Sequence, residues 1–129
     1  MEKFYNIGDI VTGIYKTGKY IGEITEVKKD RYVISILAVV KHPQQGDLHH
    51  PKGINVPFFH ERRALAFKEK TNIPKAYIKE YKSEIPLYVE SLKDALKKEK
   101  DVLISDESEW AKKSLELLNN LEKEYFKQK

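Results

Sequence analysis

A chain of 129 residues, 40% apolar and 34% charged, holds enough hydrophobic material for one packed domain or a small head with an extension. It contains no cysteine, which excludes disulfides, thiolate metal sites and thiol nucleophiles and suits a reducing compartment. The net charge of +4 lies in the first half, where residues 1–70 carry 12 Lys and Arg against 8 Asp and Glu; residues 71–129 carry 12 of each.

The opening residues, Met1 to Asp9, lack the apolar run of a secretory signal. No stretch approaches the roughly 18 apolar residues of a membrane span, and no cysteine is present for a lipid to join. A cytoplasmic chain without membrane insertion is expected.

Ile10–Tyr15 is rich in β-branched and aromatic residues and reads as a strand. Thr17-Gly18-Lys19 reads as a turn, with Gly18 supplying the positive φ of a tight hairpin. Tyr20–Val27 reads as a second strand, Lys28-Lys29-Asp30 as a polar turn, and Arg31–Val40 as a long central strand. His42–Pro57 contains three prolines and two glycines, so neither a helix nor a central strand fits it. Loops of this length are often functional. Phe58–Phe67 then reads as a last strand with a turn near its start.

Short strands punctuated by Gly8, Gly13, Gly18 and Gly22 predict an SH3-like β-barrel over residues 1–70. Residues 71–129 are predicted to form a helical segment packing on itself or on the barrel, giving an α+β fold. Ile73-Pro74 opens a short helical turn through Tyr81. A helix begins at Ile85-Pro86, with Val89, Leu92, Leu96 and Leu103 on its apolar stripe and Tyr88 and Ala95 broadening it. A second helix starts near Asp106, read as its cap with Glu109 completing a capping box. Trp110, Leu117, Leu121 and Tyr125 form its stripe, flanked by Leu118 and Phe126. The two helices make a hairpin, which leaves a homodimer open.

His42, His49, His50 and His60 with Asp47 raise the question of a transition metal. Adjacent His49 and His50 point to opposite faces of an extended chain, so the histidines are read as hydrogen-bonding a long loop to the body, with no metal and no cofactor. No nucleophile elbow, paired-carboxylate motif or phosphate-cradling glycine loop accompanies them. A binding module, not an enzyme, is the reading. Phe58-Phe59-His60-Glu61-Arg62-Arg63 joins aromatics to arginines, the residue types that dominate interface energetics. Phe59, His60, Arg62 and Arg63, with His42 and His49, are the candidate protein-interface residues. The basic first half also suits nucleic acid, so a nucleic-acid or ribosome-associated module is the alternative.

The strings Gly8-Asp9-Ile10-Val11-Thr12-Gly13-Ile14-Tyr15-Lys16-Thr17-Gly18-Lys19-Tyr20-Ile21-Gly22-Glu23, Leu37-Ala38-Val39-Val40-Lys41-His42-Pro43, Val56-Pro57-Phe58-Phe59-His60-Glu61-Arg62-Arg63-Ala64-Leu65-Ala66 and Ser108-Glu109-Trp110-Ala111-Lys112 resemble the kinase-associated protein B family. The likeness runs from about Tyr5 to Phe126. It implies an SH3-like barrel followed by helices, and a sporulation sensor histidine kinase feeding a phosphorelay as partner. It brings no catalytic residues.

Overall fold

Strong β-formers build the first three strands, β1 (Ile10–Tyr15), β2 (Gly18–Val27) and β3 (Arg31–Lys41), in a computed structural model that describes residues 4–45 and 61–127. A two-residue loop joins β1 to β2, with Tyr15 paired to Gly18. Lys16 and Thr17 carry the positive φ values, 46° and 71°, that such a hairpin needs. Gly18, expected to supply them, is instead a buried strand residue. A Cβ there would lie 2.6 Å from the Tyr20 hydroxyl, so the Tyr20 ring needs the glycine.

β2 and β3 pair with three irregularities, at Lys19/Tyr20, Ile21/Gly22 and Ile24/Glu26, and such bulges bend a sheet. At Gly22 a Cβ would meet the Ser35 carbonyl oxygen at 2.7 Å, so the two backbones approach too closely for any other residue.

The last two strands fall later than the sequence suggested. β4 is Lys70–Pro74, and a 3₁₀ turn at Lys75–Tyr77 leads into β5, Ile78–Glu80. The expected helical turn from Ile73 to Tyr81 is therefore mostly strand. Sheet gives way to helix between Glu80 and Tyr88. The expected strand Phe58–Phe67 is also corrected: Glu61–Ala66 joins no ladder, and residues 58–60 lie outside the described residues.

The antiparallel sheet has the order β4-β3-β2-β1-β5. It is open, because β4 and β5 are its edges and share no ladder among the described residues. It is nevertheless strongly curled. A flat sheet would hold β1 and β4 about 14 Å apart at the usual strand spacing, yet a Cβ on Gly13 of β1 would sit 2.7 Å from Ile73 Cδ1 of β4. The fold is α+β as expected, a five-stranded antiparallel sheet followed by two helices. The sheet curls without closing, so the expected SH3-like barrel is seen only as an open, curled sheet among the described residues.

α1 (Tyr88–Ser105) lies on β3, and α2 (Glu109–Tyr125) returns along α1. Leu92, Ala95, Leu96 and Leu103 of α1, with Trp110, Ala111, Leu118 and Leu121 of α2, join the sheet residues in one core. Val89, expected on the stripe, is half exposed; Ser91 is buried in its stead and accepts a hydrogen bond from the Val39 N–H at 2.9 Å. Lys100 and Glu122 pair at 2.7 Å across the hairpin. Ser108, not Asp106, caps α2, its hydroxyl accepting from the Ala111 N–H at 3.1 Å. Asp106 ends α1 and accepts from the Ser108 N–H at 2.9 Å.

Candidate binding cleft

Three tyrosine hydroxyls converge on the backbone of Ala64 and Leu65. Tyr125 of α2 accepts from the Ala64 N–H at 2.8 Å, and Tyr20 of β2 accepts from the Leu65 N–H at 3.3 Å. Tyr88 of α1 donates to the Leu65 carbonyl. These bonds take the place of a strand ladder, which is why an extended, partly apolar segment here is not a strand. Burial pushes the Tyr88 phenol up to about 12 and raises the Tyr20 and Tyr125 phenols as well, so all three stay protonated at neutral pH.

The same frame fixes what precedes the segment. Gln45 is buried, and its side-chain amide treats Arg62 as a strand neighbour would. Its Oε1 accepts from the Arg62 N–H at 2.8 Å and its Nε2 donates to the Arg62 carbonyl at 3.0 Å. The Trp110 indole N–H donates to the Gln45 carbonyl at 3.3 Å, which ties α2 to the same point. The Gln44 N–H donates to Thr17 Oγ1 at 2.9 Å, anchoring the β1–β2 turn.

Of the candidate interface residues, His42 is placed otherwise than expected: it is fully buried and offers a partner no surface. Its Nδ1 lies 3.0 Å from the Pro43 carbonyl, which can only accept, so the proton is assigned there. Nε2 then accepts from the Tyr125 hydroxyl at 3.0 Å. Both ring nitrogens are engaged within the protein. Burial lowers the His42 pKa to about 4, keeping the ring neutral. His49, Phe59 and His60, like Asp47 and His50 of the metal question, lie outside the described residues. Among the described residues, no three His, Asp or Glu side chains come together.

Arg62 and Arg63, adjacent in sequence, have different roles. Arg63 is exposed, pairs with Glu124 and stacks its guanidinium 5.4 Å from the Tyr125 ring centre. Arg62 is half-buried, and its Nε is buried with no hydrogen-bond partner among the described residues. Both line a cleft of about 280 Å³. Tyr15 and Lys16 of the β1–β2 hairpin, with Tyr20, Pro43, Glu61 and Leu65, complete its lining. The cleft can seat a small anionic group with apolar flanks.

The sequence reading missed Lys16, Thr17 and Gln45 as parts of this site. Only the glycine after Lys16-Thr17 marks the turn locally, and nothing near Gln45 signals its link to Arg62. A wider apolar groove of about 730 Å³ lies elsewhere, between Phe67 and Ile85–Val89, with Glu90 and Lys93 as its charged groups. No helix among the described residues is long and apolar enough to cross a membrane.

Comparison with known proteins agrees with this architecture. The family model described as Kinase associated protein B matches residues 15–126. Kinase-associated lipoprotein B of Bacillus subtilis (strain 168) is 55% identical over 122 residues, covering 95% of each chain. The crystal structure of kinase-associated protein B from Bacillus cereus superposes with a TM-score of 0.81 at 48% identity, covering 95% of this chain and 98% of that one. The chain belongs to the kinase-associated protein B family.

Proposed function

We propose that the protein is a non-enzymatic adaptor that binds a sporulation sensor histidine kinase and raises its output into a phosphorelay. The observation that carries the reading is the pairing of a family named for kinase association with a cleft where Gln45 holds the Arg62 backbone through two hydrogen bonds. Arginine beside aromatic side chains is the composition of an interface anchor. The adaptor acts by binding the active conformation of the kinase more tightly than the inactive one; a tenfold shift needs only about 1.4 kcal/mol of differential affinity. The same reading places it in the cytoplasm, supported by a cysteine-free composition that suits a reducing compartment. The word lipoprotein belongs to the name of the relative, and these 129 residues offer no cysteine to a lipid.

The test is autophosphorylation of a purified sporulation sensor kinase with and without the protein. Wild type is expected to raise the rate, and an Arg62→Ala, Arg63→Ala double variant with an unchanged circular dichroism spectrum is expected not to. Full activation by the folded double variant removes the arginines from the interface. No effect of wild type, together with steeply salt-dependent RNA binding, replaces the adaptor with a nucleic-acid module.

A further inference from the structure

We infer that the cleft between the Lys16–Thr17 turn and the 61–65 segment receives a carboxylate side chain of an acidic partner peptide, with Arg62 as its anchor. The inference rests on the adaptor reading only in supposing that the occupant is a protein segment.

Three observations carry it. The Arg62 backbone is held at both its N–H and its carbonyl by Gln45, so the base of the side chain is fixed before any ligand arrives. Its Nε is buried within the protein, which leaves the Nη end of the guanidinium to meet a ligand in the cleft that Arg62 lines. The two Nη groups form a fork that matches the two oxygens of a carboxylate.

The charge of the cleft sets the ligand class. Arg63 is engaged by Glu124 and the Tyr125 ring, and Glu61 shares the lining with Lys16 and Arg62. One positive charge is left uncompensated, which suits a carboxylate better than a doubly charged phosphate. Tyr15, Pro43 and Leu65 provide the apolar contact that the rest of a peptide needs.

The chain has three arginines, so the side-chain Nε–Hε spectrum of the uniformly ¹⁵N-labelled protein contains three signals, and Arg31 serves as the remote control. The probes are a blocked tripeptide with glutamate between two leucines, its glutamine counterpart, and inorganic phosphate. The glutamate peptide is expected to shift the Arg62 signal saturably and leave that of Arg31 in place, while the glutamine peptide does not saturate. An Arg62→Lys variant keeps the charge but loses the fork, and its affinity, read from the Lys16 and Leu65 amides, is expected to fall about tenfold. Equal binding of the glutamine peptide or undiminished binding by Arg62→Lys overturns the inference. So does tighter binding of phosphate, or no saturable shift at all. Peptide binding at Arg62 with no effect of the protein on the kinase leaves this site standing and removes the adaptor reading alone.

Discussion

The Tyr125 hydroxyl stands 3.0 Å from His42 Nε2, joining the last turn of α2 to the residue after β3 across 83 positions of sequence. With Nδ1 donating to Pro43, Nε2 must accept, and the Tyr125 oxygen in turn accepts from the Ala64 N–H. The arrangement requires a neutral imidazole. A second proton on His42 would turn the acceptor into a donor facing the phenol.

Acid is therefore expected to weaken the fold through His42. Its pKa is about 4 in the folded protein against 6.5 for the unperturbed ring, with burial as the cause. The folded state binds fewer protons than the unfolded state between these values, so the stabilising contribution is complete above pH 6.5. It is lost as the pH falls towards 4, a difference of about 3 kcal/mol. Urea unfolding from pH 7 to pH 4 checks it: wild type should lose stability more steeply than His42→Asn, which lacks the titrating ring. Parallel slopes would refute the assignment.

Tyr125→Phe removes one oxygen and leaves two partners unsatisfied, the Ala64 N–H and His42 Nε2. A cost of about 1–3 kcal/mol is expected, seen as a lower urea midpoint with an unchanged m-value. The His42 pKa, followed by NMR, should move in the same variant.

Ser91→Ala is expected to cost about 1–3 kcal/mol despite removing a single oxygen. The Val39 N–H lies beside a β2–β3 irregularity and uses the Ser91 hydroxyl as its acceptor. Amide hydrogen exchange should accelerate at Val39 more than at Glu23 or Ser35, which pair in the regular part of the same ladder.

Ser108→Ala should destabilise the protein by about 1 kcal/mol through loss of the α2 cap, and Ser108→Asp should restore most of it. Thermal unfolding of the two variants beside wild type decides. Equal loss in both would show that the hydroxyl contributes through something other than capping.

The first three strands and both helices are legible in the sequence because each carries enough apolar residues to display its period. β4 and β5 are not. Each has one buried residue, Ile73 and Ile78, and Pro74 between them imitates a helix start. The 61–66 segment looks like a strand because it is partly apolar and extended. Its backbone partners, Tyr20, Tyr88 and Tyr125, come from 45 residues upstream to 61 downstream, beyond any local pattern. Composition alone brings Arg62 and Arg63 forward, whereas their division of labour depends on Gln45 and Glu124. His42 looks like a loop residue until Tyr125 and Pro43 are seen to enclose it.

The bridge from the Gln45 side chain to both polar groups of Arg62 works as a seam. It closes the chain on itself at two points separated by 16 residues of covalent sequence, so that one glutamine side chain holds the end of one described segment to the start of the next. Trp110, the single tryptophan, donates to the Gln45 carbonyl, so its fluorescence reports whether the seam holds.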